Sequence, residues 1–176
     1  MPNVLEVSVP SSSSILTVLK NVHFSDAYEA SIARPSIDAQ GAYAAIFGPK
    51  PGWILMLLKI RGVFANIAGL KHPEITEVGA IEPNAGRRPY AIGDRVGLFG
   101  VQSISAKELI LGVDDKHLNF RVSVLRSLQN DIEKVTISTV VELNNGLGRA
   151  YLFLIKPFHK LIVRSILQNA LDAGRI

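Results

Sequence analysis

The chain contains no cysteine, which excludes disulfides, thiolate nucleophiles and cysteine-ligated zinc together. A reducing, cytoplasmic compartment is the expectation. Charge is sparse as well: only 19% of residues are Asp, Glu, Lys or Arg against 48% hydrophobic, a balance that excludes a disordered chain. The basic surplus of +4 is scattered along the length rather than gathered into a stripe, so no nucleic-acid partner is expected. No apolar run is long and clean enough for a membrane span, because the greasiest window, Trp53 to Leu70, is broken by Lys59, Arg61, Gly62 and Asn66. The opening MPNVLE lacks the basic and apolar regions of an export signal. The chain also lacks a Gly-x-Ser-x-Gly elbow, a phosphate-gripping glycine loop, internal repeats and sustained heptads. Gly146-Leu147-Gly148-Arg149-Ala150 is too short for a dinucleotide fingerprint.

What is present is expected to form a single α+β domain spanning residues 1–176. A chain of this length buries roughly 70% of its unfolded surface, enough for a substantial core. Its mean hydropathy of +0.26 asks for large buried faces, an apolar cavity or an oligomer interface, most simply a twofold homodimer.

Weak alternation from Val4 to Val9 predicts a first strand, and Ser11 to Ser14 offer caps for a short helix through about Val22. A strand follows from Ala27 to Ala33. Ser36 or Asp38 caps a helix through Ala39, Ala42, Tyr43 and Ile46 that stops at Gly48-Pro49. A second, longer helix starts near Pro51 and runs past Trp53 and Phe64 to Gly69. Residues 71–93 carry too many Pro and Gly for a periodic element beyond one short strand near Glu77 to Ile81, and read as a loop. Strands are then predicted at Gly97–Ser103, Glu108–Val113, His117–Leu128 and Lys134–Leu143, closed by Asn144-Asn145-Gly146. Leu147 to Leu171 is one long helix whose polar Lys156, His159, Lys160 and Arg164 fall within an arc of about 140°. That narrow arc predicts burial of most of the helix circumference, with a kink at Pro157. The order predicts two consecutive helices after the first strand, and a curved antiparallel sheet wrapped around the C-terminal helix, with a cavity between them.

Five segments in this order, PGW (51–53), GLK (69–71), GDRVG (93–97), DDKHLNFR (114–121) and KPFHKLIVR (156–164), give the chain its individuality. Together they resemble a bacterial family filed as domain of unknown function 2867, from about Asp26 to Ala170. The resemblance carries no established activity. It implies similarity to the helix-grip (START-like) superfamily of lipid-transfer and plant-allergen type. Relatives fused behind short-chain-dehydrogenase-like domains imply work beside a redox enzyme.

DDKHLNFR concentrates titratable side chains beside an apolar run. Asp114 and Asp115 are explained by a turn, in which a carboxylate bonds a nearby backbone N–H. His117, Asn119, Arg121 and Ser123 share one strand face, expected to be solvated, and Leu118, Phe120, Val122 and Val124 the inward one. The functional alternative turns His117 and Arg121 toward the cavity mouth, where Arg121 clamps an anion, His117 shuttles a proton and Asp115 orients it. His23, His72, His117 and His159 lack short ligand spacing, so no metal is expected, and no cofactor. The leading expectation is a domain binding a small apolar or amphipathic ligand. Its candidate contacts are His117, Arg121, Asn119 and Asp115 as polar anchors, Trp53 and Phe153 as apolar wall, and His159 on the last helix. The alternative is an enzyme of the same fold using His117 and Arg121 for acid–base chemistry on a carbonyl or ester.

Overall fold

The computed structural model describes residues 4–33, 37–48, 89–96 and 99–176. The elements in chain order are β1 (Leu5–Val7), a 3-10 turn (Ser14–Thr17), β2 (Phe24–Ser31), α1 (Ala39–Phe47), β3 (Arg95–Val96), β4 (Phe99–Ile104), β5 (Glu108–Asp114), β6 (Leu118–Gln129), β7 (Ile132–Leu143) and α2 (Gly146–Asp172). The strands form one seven-stranded sheet, ordered β1-β2-β7-β6-β5-β4-β3, and every pairing is antiparallel. The expected α+β class and antiparallel sheet are therefore observed. The expected second helix, from Pro51 to Gly69, lies outside the described residues, as do the short strand at 77–81 and Trp53.

Local chemistry explains the element ends. Asp38 Oδ1 accepts from Gly41 N–H at 2.7 Å and caps α1, which stops at Gly48 as the sequence predicts. Asn145 Oδ1 accepts from Gly148 N–H at 3.1 Å and starts α2. The long hairpin of β6 and β7 turns on Asn130 and Asp131, whose φ angles of 51° and 61° suit the two-residue turn that matches strand twist. Asn and Asp tolerate this left-handed region better than other side chains with a Cβ.

Among the described residues, α1 and α2 pack on one face of the sheet. Alternate residues of the inner strands, such as Tyr28, Val122, Val124 and Ile137, meet Tyr43 and Ile46 of α1 and Val163 and Leu167 of α2 in the principal core. Pro157 lies inside α2, and the helix is assigned without a break from Gly146 to Asp172.

Two expectations are corrected. First, α2 does not bury most of its circumference. Its buried residues form a stripe through Tyr151, Ile155, Val163, Ile166, Leu167 and Ala170, while Leu147, Phe153, Leu154 and Leu161 are exposed. A helix resting on one sheet layer is covered only on the side that touches it. Second, the polar face of β6 is not solvated: His117, Arg121 and Ser123 are all buried. Part of that face is roofed by the N-terminal segment, where Ile15 and Leu19 pack on Ile110 and Val140 in a second apolar cluster. Glu108 is buried with them and its carboxylate accepts from Ser13 Oγ, from Ser14 N–H at 2.9 Å and from Ser123 Oγ at 2.5 Å. Three donors around one buried carboxylate replace the hydration it has lost.

Candidate functional site

The seam between β2, β7 and α2 holds an aspartate–histidine pair, and strand alternation places its aspartate indoors. Phe24, Asp26, Tyr28 and Ala30 fall on the helix-facing side of β2, and Asp26 lies directly opposite Thr139 of β7. The Asp26 side chain is only 1% exposed. Against it stands His159, on the inner side of α2 two turns beyond Tyr151. His159 Nε2 is 3.3 Å from each carboxylate oxygen of Asp26, but the hydrogen bond goes to Oδ1. Oδ2 is left buried with no hydrogen-bond partner, and so is the Oγ1 of Thr139. Buried polar groups are nearly always paired, so two orphan oxygens on opposite residues require a specific cause.

Aromatic rings flank the imidazole. Phe24 and Phe120 each meet the His159 ring edge-on, with centroids 6.1 and 6.4 Å away, and Phe99 stacks on Phe120 at 5.5 Å. The Lys156 ammonium sits 5.3 Å over the Phe24 ring. Tyr28, two residues along from Asp26 on the same face, has its phenol pushed up to about 12 by burial and then by the charges of Asp26 and Glu6, with Arg164 opposing. Tyr28 is thus a neutral hydroxyl at ordinary pH. Chemically, the seam offers a buried acceptor, a hydroxyl, an imidazole whose orientation a carboxylate controls, and an apolar wall.

The DDKHLNFR stretch forms the corner where β5, β6 and α2 meet. Asp115 Oδ1 accepts from His117 N–H at 3.0 Å, the turn role its position predicts. Asn119 Nδ2 donates to Glu142 at 3.0 Å, and this bond, with one from Asn21 N–H, holds the exposed Glu142 carboxyl below its usual range. Arg121 lies across Gly112 on the sheet face away from α2. Its guanidinium pairs with Asp114 at 2.8 Å and donates to the carbonyls of Val113 and Phe120. A Cβ at residue 112 would fall 2.3 Å from Arg121 Cδ, so only glycine admits this pose.

His117 sits beneath the start of α2. Asn145 Oδ1 is engaged by Gly148 N–H, so its Nδ2 faces Lys116 O and His117 Nδ1, at 3.1 and 2.9 Å. The same Oδ1 also lies 3.1 Å from His117 Nδ1, but the helix cap already occupies it. Nδ1 is then the acceptor and Nε2 carries the ring proton, buried without a partner. Among the described residues no hydrogen bond joins His117 to Arg121. Of the remaining sequence candidates, Phe153 is 82% exposed on the outer side of α2, and His159 is the one that meets the seam.

Sequence reasoning singled out neither Asp26 nor Thr139. The signal available was a lone acid on the apolar side of an alternating strand, the sequence Phe24-Ser25-Asp26-Ala27-Tyr28-Glu29-Ala30. Nothing in the sequence put His159, 133 residues away, beside it.

Fold and seam together define an α+β domain in which an antiparallel sheet carries a long C-terminal helix. The chain belongs to the family described as Protein of unknown function (DUF2867), whose sequence model matches residues 18–166. No curated protein and no solved structure matches the chain. Among the described residues no group of three or more metal-ligating side chains occurs, and no helix is long and apolar enough to cross a membrane.

Proposed function

We propose that the domain binds a small apolar or amphipathic molecule at the seam between the sheet and α2, in the manner of a helix-grip domain. The observation that carries this reading is the pair of orphan oxygens, Asp26 Oδ2 and Thr139 Oγ1, beside His159, whose ring Phe24 and Phe120 meet edge-on. A protein without a use for them would bury an apolar residue at position 26 at lower cost, since an unpaired buried polar atom costs about 1–3 kcal/mol. A ligand's polar group satisfies them, and its apolar body replaces water against the rings. The element order, with a long terminal helix laid on an antiparallel sheet, supports the helix-grip comparison. The absence of cysteine suits work in the cytoplasm.

The test is native mass spectrometry of the protein purified from a cell extract, paired with thermal-shift screening of apolar and amphipathic compounds. A bound small molecule, or a stabilising compound whose effect is lost in Asp26→Asn, supports the reading. A ligand-free spectrum together with no stabilising compound would overturn it.

A further inference from the structure

We infer that the ligand's polar group is a neutral hydroxyl, carried on an aromatic or alicyclic body; this rests on the ligand-binding reading above and narrows it. Asp26 and Thr139 are in-register neighbours across β2 and β7, so their side chains leave the same face about 5 Å apart. Asp26 Oδ2 can only accept a hydrogen bond, and Thr139 Oγ1 can donate one. A hydroxyl placed between them donates to Asp26 and accepts from Thr139, and neither atom remains unpaired.

Other polar groups fit less well. An ammonium has no lone pair for the Thr139 proton, and it would approach past Lys156, Lys160 and Arg164, all on α2. A carboxylate would face the Asp26 carboxylate. A hydrocarbon would leave both oxygens as they are. The apolar body is set by Phe24, Phe99 and Phe120, whose rings offer faces and edges to another ring.

Admission requires a side chain to move, because both oxygens are closed to solvent. His159 is the movable one: its side chain is 19% exposed, and beside its edge contacts with Phe24 and Phe120 it makes one long hydrogen bond, to Asp26 Oδ1. Rotation of the imidazole opens the seam from the α2 side. Its return re-forms the bond to Oδ1 while the ligand occupies Oδ2.

Four probes decide the matter: 2-naphthol, 2-naphthylmethylamine as its ammonium, 2-naphthoate and naphthalene, titrated calorimetrically at neutral pH into the full chain. The expected result is 2-naphthol tightest, by about 10-fold or more over naphthalene, because a site built to bond a hydroxyl rejects the analogue lacking it. Thr139→Val and Asp26→Asn are each expected to erase that preference, so that 2-naphthol and naphthalene bind the variant equally within about 2-fold, and Thr139→Ser to preserve it. Circular dichroism of each variant establishes that it is folded, and Thr139→Val, close in volume, stands if Asp26→Asn fails. Tightest binding of the amine or the acid, or equal affinity for all four, overturns the hydroxyl assignment and leaves the ligand-binding reading intact. Binding of none of the four overturns the hydroxyl assignment, whereas the ligand-binding reading falls only with the ligand-free spectrum and the failed thermal-shift screen described above.

Discussion

Replacing Glu108 tests whether the N-terminal segment is held over the sheet by one carboxylate. In Glu108→Ala three hydrogen bonds disappear, from Ser13 Oγ, Ser14 N–H and Ser123 Oγ, and two buried hydroxyls lose their acceptor. Hydrogen bonds to a charged group contribute about 1.5–3 kcal/mol each, but the variant no longer buries a charge, which returns part of that sum. The expected net loss is about 2–4 kcal/mol, a large share of a domain's total stability. It is read as a lower urea midpoint with unchanged slope. Hydrogen exchange locates it: amides of Ser14 and Ile15 lose protection before those of β6 and β7, because only the apolar contacts of Val9, Ile15, Val18 and Leu19 with Ile110 and Val140 then replace the lost anchor. Glu108→Leu combined with Ser13→Ala and Ser123→Ala removes the two hydroxyl donors with the acceptor, leaves Ser14 N–H unpaired and removes the Ser13 Oγ bond to Ile15 N–H, and is expected to regain part of the lost stability. A loss below about 0.5 kcal/mol in Glu108→Ala, or a triple variant less stable than the single one, would refute the reasoning.

Three further outcomes follow from the same structure. Gly148→Ala sets a gain of about 1 kcal/mol in helix propensity against a Cβ only 2.2 Å from the His117 carbonyl oxygen, which is backbone and cannot rotate away. Net destabilisation of about 1–3 kcal/mol is expected in chemical denaturation, and a more stable variant would contradict the close approach. Tyr28 links stability to alkaline pH. Its folded pKa of about 12 exceeds the ordinary value of 10.0, so the protonated phenol favours the fold fully below pH 10 and that contribution fades as pH climbs toward 12. Denaturation midpoints measured across that window should fall less steeply in Tyr28→Phe than in the wild type; identical slopes would remove Tyr28 from the account. Leu167, wholly buried between α2 and the sheet, should lose about 2–5 kcal/mol on truncation to Ala, whereas Phe153→Ala, on the outer side of the same helix, should stay within about 0.5 kcal/mol by thermal unfolding.

Much of the architecture was legible because short-range rules govern it. β-Branched runs separated by turn residues became β4 to β7 within a few residues of their predicted ends, and Asp38 and Gly48 bound α1 where a cap and a stop were expected. The seam was less legible. His159 belonged to the candidate set as one member of a basic helix face, while its partner Asp26 did not, since their meeting depends on which side of α2 lands on which strand. The roofing of β6 by residues 13–19 escaped notice for a related reason: alternation assigns residues to two faces but does not say that a distant segment covers the second one.

By itself, then, the sequence determined the α+β class, the antiparallel meander and the long terminal helix, since each follows from patterns of neighbours along the chain. Only the tertiary structure decided that Asp26 and Thr139 share a buried patch with His159, that Glu108 anchors the N-terminal segment, and that DDKHLNFR forms a packed corner. Those outcomes rest on contacts between segments far apart in sequence, where burial and hydrogen-bond satisfaction, rather than local propensity, choose the partners.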